Sequence, residues 1–155
     1  MKPILLIGFL LLVILIGCSG SQTDSNNLRV EIKTYRVNSW VNLMPGSKPS
    51  FFISGSIKIR NNENTGIDSL KLLKCEVRQS GKILYVLHPE FMSSVDPDVL
   101  FNPGSDRTYS LNLTAGIPVI KALNYDKLVS VDLYLSAINK IARINIDSIF
   151  VVKAY

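Results

Sequence analysis

Apolar and polar residues alternate with a period of two along most of the chain after residue 27. This period is typical of β-strands that bury one face and expose the other. Ser80-Gly81 separates two of the alternating segments by a tight turn and predicts a hairpin, and Asp147-Ser148 predicts a bulge in the last segment. The pattern predicts seven strands, near residues 28–33, 51–60, 73–78, 82–87, 108–113, 129–135 and 143–153.

Seven half-buried strands predict an all-β domain in which two antiparallel sheets pack into a sandwich. Seven strands in about 130 residues are typical of the immunoglobulin-like class. Cys75 is the only cysteine in this region, so an antibody-type disulfide is excluded. The alternative fold is a small up-and-down barrel of the lipocalin type, but Trp40 lacks the preceding Gly-x that such barrels carry. Residues 117–125 are the one segment predicted to form a helical turn.

The first residues follow a different pattern. Pro3–Gly17 is almost entirely aliphatic, and Lys2 is the only charge before Asp24. The run is shorter than the roughly 20 residues that a spanning helix needs, so it predicts a cleaved signal peptide. Its end, Leu15-Ile16-Gly17-Cys18, resembles the lipobox of bacterial lipoproteins.

This resemblance implies cleavage after Gly17 and acylation of Cys18, which attaches the chain to a membrane. Ser19 resembles the residue that directs such proteins to the outer membrane, facing the periplasm, when the host has two membranes. The chain then divides into a signal peptide (1–17), a lipidated, polar tether (18–27) and one domain (28–155).

Phe51–Tyr85 resembles the core of water-stress domains of the LEA14 type, with an alternating strand, an Asn-rich turn and a Ser-Gly-Lys hairpin. Asn61 and Asn62 occupy the turn, although the proline that family often places there is absent. The resemblance covers about a quarter of the chain. It implies an immunoglobulin-like sandwich without catalytic residues.

Composition adds little chemistry. The formal net charge of +5 is spread along the chain, so no nucleic-acid partner is expected. One histidine, His88, and Cys75 do not form a zinc site or a nucleophile–base pair, so we expect no enzyme activity, no metal and no cofactor. Asn61–Asp68 and Asp96–Asp98 are oxygen-rich in the manner of calcium loops, but Leu72 stands where an EF-hand needs glutamate.

Two connections carry unusual apolar side chains. Residues 38–50 contain Trp40 and Met44, and residues 88–105 contain Phe91 and Phe101. Apolar and aromatic side chains in loops favour a partner surface, so these four residues predict an interaction or assembly module that contacts another envelope protein. Two alternatives stay open: the loops plug an end of the sandwich, or the domain carries a small hydrophobic ligand or lipid.

Overall fold

A computed structural model of the chain describes residues 27–96 and 98–155. The predicted signal peptide, the predicted acylation site Cys18 and the predicted tether up to residue 26 lie outside these ranges. The described residues are all-β, as the alternating pattern predicts. They form β1 (Val30–Asn42), β2 (Ser50–Asn61), β3 (Lys71–Gln79), β4 (Lys82–Leu87), β5 (Glu90–Ser93), β6 (Asp106–Asn112), β7 (Ile117–Pro118), β8 (Val129–Ala137), β9 (Lys140–Ile149) and β10 (Val151–Ala154).

The strands build two sheets in the manner of a β-sandwich. One sheet has the order β10-β1-β2-β6-β5, with the short β7 paired to β2, and the other has the order β4-β3-β8-β9. Neighbouring strands are antiparallel except β1 and β10, which run parallel from Ser39 opposite Val151 to Asn42 opposite Ala154. A single apolar core draws fully buried side chains from both sheets, including Ile53 and Ile57 of β2 and Val131, Leu133 and Leu135 of β8.

The described residues form ten strands rather than the predicted seven. The predicted last strand is two strands in different sheets, because the chain leaves β9 at Ile149 and joins the opposite sheet at Val151. Within the predicted long connection, Glu90–Ser93 forms β5 at a sheet edge. Residues 117–125 form β7 and turns rather than the predicted helical turn.

Two local predictions are confirmed. Gln79 pairs with Lys82 across Ser80-Gly81, and both turn residues have positive φ. The β8–β9 register shifts between Val129 and Val131, where β9 contributes one extra residue and Ser148 has a φ of 63°. The hairpin and the bulge therefore lie where the turn residues predict them.

The direction of β1 distinguishes two ends of the domain. Asn27 pairs in parallel with Ile141, beside the turn that joins β8 to β9. From there β1 runs from Val30 to Asn42, a distance of about 40 Å at roughly 3.3 Å per residue. We call the end that holds Asn27 and the β8–β9 turn the proximal end, and the end that holds Asn42 the distal end.

Candidate interaction surface

The solvent face of three neighbouring strands carries a row of large apolar side chains near the distal end. Trp40 of β1 lies opposite Phe52 of β2 on one side and Val152 of β10 on the other. Val41 and Phe51, the next residues along two of these strands, are completely buried. Because side chains alternate between the faces of a sheet, the row containing Trp40 points away from the core.

The centre of this row is held rigidly. The rings of Trp40 and Phe52 stack with their centroids 5.2 Å apart and their planes 4° from parallel. Gly116 lies against the tip of Phe52, where an added Cβ would collide with the Cζ atom. Stacking and close packing hold the aromatic pair in one arrangement, so contact with another molecule would require little further ordering of these rings.

The row continues toward β10 with more exposed side chains. Val152 is 58% exposed, and Phe150, which immediately precedes β10, is 74% exposed. Ser39 Oγ donates a hydrogen bond to the Phe150 carbonyl oxygen at 3.0 Å, which ties this residue to β1. We call Trp40, Phe52, Phe150 and Val152 the aromatic patch.

The four partner residues predicted from the sequence do not lie together. Trp40 belongs to β1 rather than to a loop, and Met44 is exposed in the turn that follows. Phe91 lies on β5 and stacks on Tyr109 at 4.6 Å, far across the sheet from the patch. Phe101 is only 1% exposed, so its prediction as a surface residue is wrong.

The burial of Phe101 has a simple cause. Its backbone forms an isolated bridge with Ile67, with both N–H groups donating at 3.0 Å, and this bridge draws the long connection over the core. The Arg107 guanidinium carbon lies 4.9 Å from the Phe101 ring centroid and covers it. The position of Phe101 therefore agrees with the alternative prediction, in which the loop plugs an end of the sandwich.

A second apolar feature lies along the β5 edge. A cleft of about 390 Å³ opens between β5 and the segment before β3, and its apolar lining includes Leu70, Phe91, Met92 and Val95. Clefts that bind small molecules are typically of this size and lining. This cleft is the structural feature that a hydrophobic-ligand carrier would use.

The outer face of the other sheet is occupied by charges rather than apolar groups. Glu76 and Asp132 lie directly opposite each other on β3 and β8, and both are almost completely buried. Two like charges in this position repel unless cations separate them. Arg78 lies 2.7 Å from both carboxylates, Arg143 lies 2.8 Å from Asp132, and Lys74 lies 2.7 Å from Glu76.

These ion pairs keep both acids ionised. Hydrogen bonds from Lys74 and Arg78 lower the pKa of Glu76. Burial alone would raise the pKa of Asp132, but the hydrogen bonds from Arg143 and Asn145 outweigh it and lower that pKa. A general acid at neutral pH needs a raised pKa, so this network has the opposite electrostatics and the geometry of a structural cross-link between strands.

His88 and Cys75 occupy structural positions. His88 Nδ1 donates to the Leu73 carbonyl oxygen at 2.9 Å, which pins the exposed ring to β3. Cys75 is buried, and burial raises the pKa of its thiol to about 12. A thiol with that pKa does not supply the thiolate that nucleophilic chemistry requires.

The oxygen-rich loop after β2 is organised by its own hydrogen bonds. Asn61 Nδ2 donates to the carbonyl oxygens of Phe101 at 2.8 Å and Thr65 at 3.1 Å, while its Oδ1 accepts from the Glu63 amide at 2.8 Å. The Glu63 carboxylate accepts from the Arg29 amide and from Lys140. Residues 27–96 and 98–155 contain no group of three His, Cys, Asp or Glu side chains that could hold a metal ion.

No family model and no curated protein matches this chain. Within the part of the chain that the structure describes, no helix is long and apolar enough to cross a membrane.

Sequence reasoning missed three of the four patch residues. Phe52 could have been predicted to lie on the solvent face, because it is an aromatic residue at a position where the alternating pattern of β2 otherwise has polar residues. Phe150 and Val152 were hidden inside a predicted continuous strand. Their juxtaposition with Trp40 depends on the parallel pairing of β10 with β1, for which the sequence pattern carries no signal.

Proposed function

We propose that this protein is a lipid-anchored, non-enzymatic lipoprotein of a bacterial cell envelope, and that its domain is a protein-interaction or assembly module. Acyl chains on Cys18 hold it to the membrane, which is the outer membrane facing the periplasm when the host has two. The sequence Leu15-Ile16-Gly17-Cys18 at the end of the aliphatic run supports the anchor. Two or more acyl chains are needed for stable attachment.

The aromatic patch is the observation that carries the interaction role. Tryptophan is enriched among the residues that dominate binding energies at protein interfaces, and phenylalanine is enriched in the buried cores of such interfaces. Here they form a stacked, preorganised centre bordered by Phe150 and Val152, both mostly exposed. The patch lies toward the distal end, so a partner reaches it without competition from the membrane at the proximal end.

We also propose that the domain is immunoglobulin-like. The orders β1-β2-β6-β5 and β3-β8-β9 correspond to the A-B-E-D and C-F-G sheets of that class, which supports a frame of seven principal strands. In this assignment β4 extends the second sheet as C′, and β7 and β10 are additional short strands.

Affinity capture from native envelopes tests the interaction role. The tagged, full-length protein is compared with Trp40→Ala, with Phe150→Ser and with the matched surface variant Val86→Asn, because Val86 is exposed on β4 outside the patch. We expect a protein partner that follows the wild type and Val86→Asn but is lost from both patch variants. Capture of the same partner by all four proteins would refute the patch as the interface. A Cys18→Ala chain that stays membrane-bound would refute the lipid anchor.

The cleft beside β5 favours one second candidate, a carrier of a small hydrophobic ligand or lipid. Its lining by Leu70, Phe91 and Met92 suits an acyl or aromatic group. Mass spectrometry of small molecules that copurify with the protein distinguishes the two functions. A ligand that is retained by the wild type and lost from Phe91→Ser, with no protein partner captured, would replace the interaction role.

A further inference from the structure

The turn between β8 and β9 holds an isoleucine where the backbone disfavours one. Ala137 pairs with Lys140, so Ile138 and Asn139 form a two-residue turn, with φ of 52° and 58°. Turns of this kind favour Asn-Gly, because a β-branched residue is strained at positive φ. Ile138 is also 49% exposed, so burial in the core does not account for its presence. Strain that packing does not require points to a functional contact.

Ile138 does not stand alone. Ile141 is 51% exposed and Leu73 is 44% exposed, and the three residues line one open cleft of about 560 Å³. The patch at the other end is mainly aromatic, whereas these three side chains are aliphatic and share their cleft with polar residues such as Asn139 and Lys140. We call Ile138, Ile141 and Leu73 the aliphatic tip.

The aliphatic tip lies where the chain enters the domain. Asn27 pairs in parallel with Ile141, and the Leu28 amide donates to the Ile141 carbonyl oxygen at 3.0 Å. Between Cys18 and Asn27 the chain spans at most about 30 Å when fully extended. An acylated Cys18 therefore holds this end of the domain closer to the bilayer surface, on average, than the distal end.

We propose that the aliphatic tip rests in the headgroup region of the lipid bilayer, with Ile138 entering deepest. The inference rests on the proposed lipid anchor. Charges around the tip are net basic: Arg29 and Lys140 both pair with the buried Glu63, at 3.7 and 3.1 Å, and Lys71 is exposed. Asp68 is the exposed acid in the cleft lining. The apolar contact and these basic groups act together, as they do for other interfacial segments.

Fluorescence quenching in vesicles tests the proposal. Full-length acylated protein carrying Asn139→Cys is labelled with an environment-sensitive dye and reconstituted into vesicles of phosphatidylethanolamine and phosphatidylglycerol. Buried Cys75 does not compete for the dye. Acyl chains brominated near the headgroup report contact with lipid, and a water-soluble quencher reports exposure. Trp40 is the only tryptophan and serves as the distal reference in the same molecule.

We expect brominated lipid to quench the dye at residue 139 and to leave Trp40 unaffected. Adding Ile138→Asn relieves the strained turn and removes the apolar group, so the fold is kept while the tip's partition into the interface falls about tenfold. Val86→Asn, an exposed aliphatic position outside the tip, should change nothing.

Three results would overturn the proposal. The first is a dye that remains fully accessible to the aqueous quencher. The second is lipid quenching of the dye that is as strong in the Ile138→Asn variant as in the protein with Ile138. The third is a dye that brominated lipid does not quench and that is shielded from the aqueous quencher only at high protein density, which would indicate contact with a second copy of the chain. The mass of the N-terminal peptide shows whether Cys18 is acylated. An unacylated Cys18 refutes the proposed lipid anchor whatever the quenching shows, whereas an acylated Cys18 with any of the three results refutes only the membrane contact of the tip.

Discussion

Replacing Ile138 by glycine should leave the domain more stable than replacing it by alanine. Both changes remove nearly the same side-chain contacts, so the difference between them isolates the backbone. At the observed φ of 52°, any residue with a Cβ is disfavoured by about 1–2 kcal/mol relative to glycine. In an extended strand the order is the reverse, and alanine is favoured by about 0.5–1 kcal/mol. We therefore expect the glycine variant to be more stable by about 1 kcal/mol.

Urea and thermal unfolding, followed by Trp40 fluorescence, measure this difference. For a domain of this size, 1 kcal/mol corresponds to roughly 4 °C in Tm. The matched control is the same pair of substitutions at Ile141, which is 51% exposed but lies inside β9 without a positive φ. There the alanine variant should be the more stable one.

The sign of the difference decides the result. If Ile138→Ala equals or exceeds Ile138→Gly in stability, residue 138 is not held in the left-handed region, and the argument from strain fails. If glycine is also favoured at Ile141, the gain at residue 138 is not specific to the turn, because the greater freedom of glycine in the unfolded chain should make it the less stable variant at an extended position.

Two further predictions concern the buried polar groups. Because the folded pKa of Asp132 is lowered, its stabilising contribution is fully present above the ordinary carboxyl pKa and is lost as the pH falls through the folded value. The decrease in Tm between about pH 6 and pH 3 should thus be shallower in Asp132→Asn than in the wild type, and parallel curves would contradict this. In a Cys18→Ala background, Cys75 should react with an aromatic disulfide reagent only as fast as the domain unfolds, and fast labelling at neutral pH would contradict its burial.

The fold class could be predicted because several of the long strands bury one face. Side chains at alternate positions of β2 and β8 are completely buried, and the period of two in the sequence records that burial directly. The short strands were missed for the complementary reason. β5 and β7 have four and two residues, too few for a period to register, and Phe91 lies on one of them.

The candidate site was only partly predictable, because its residues gather through long-range pairing. Trp40 and Met44 are readable as unusual apolar residues in a polar segment. Nothing in the local pattern brings Val152 beside Trp40, since a parallel partner must come from elsewhere in the chain. Phe101 shows the converse error: an apolar residue in a long connection was assigned to the surface, but its bridge to Ile67 places it in the core.

A single extra residue in β1 determines whether the aromatic patch exists. Ile32 lies opposite Ile59, but the register with β2 shifts before Thr34, so Lys33 is left as a bulge. Without the bulge, Trp40 would point toward the core like Val30 and Ile32, because all three residues have even numbers and side chains alternate between the two faces. The bulge reverses the phase, buries Val41 completely and turns Trp40 outward against Phe52. Even-numbered residues of β1 therefore face the core at the proximal end. Odd-numbered residues face the core at the distal end, which leaves Trp40 on the solvent face. The proposed membrane contact and partner contact can therefore be occupied at the same time on one small domain.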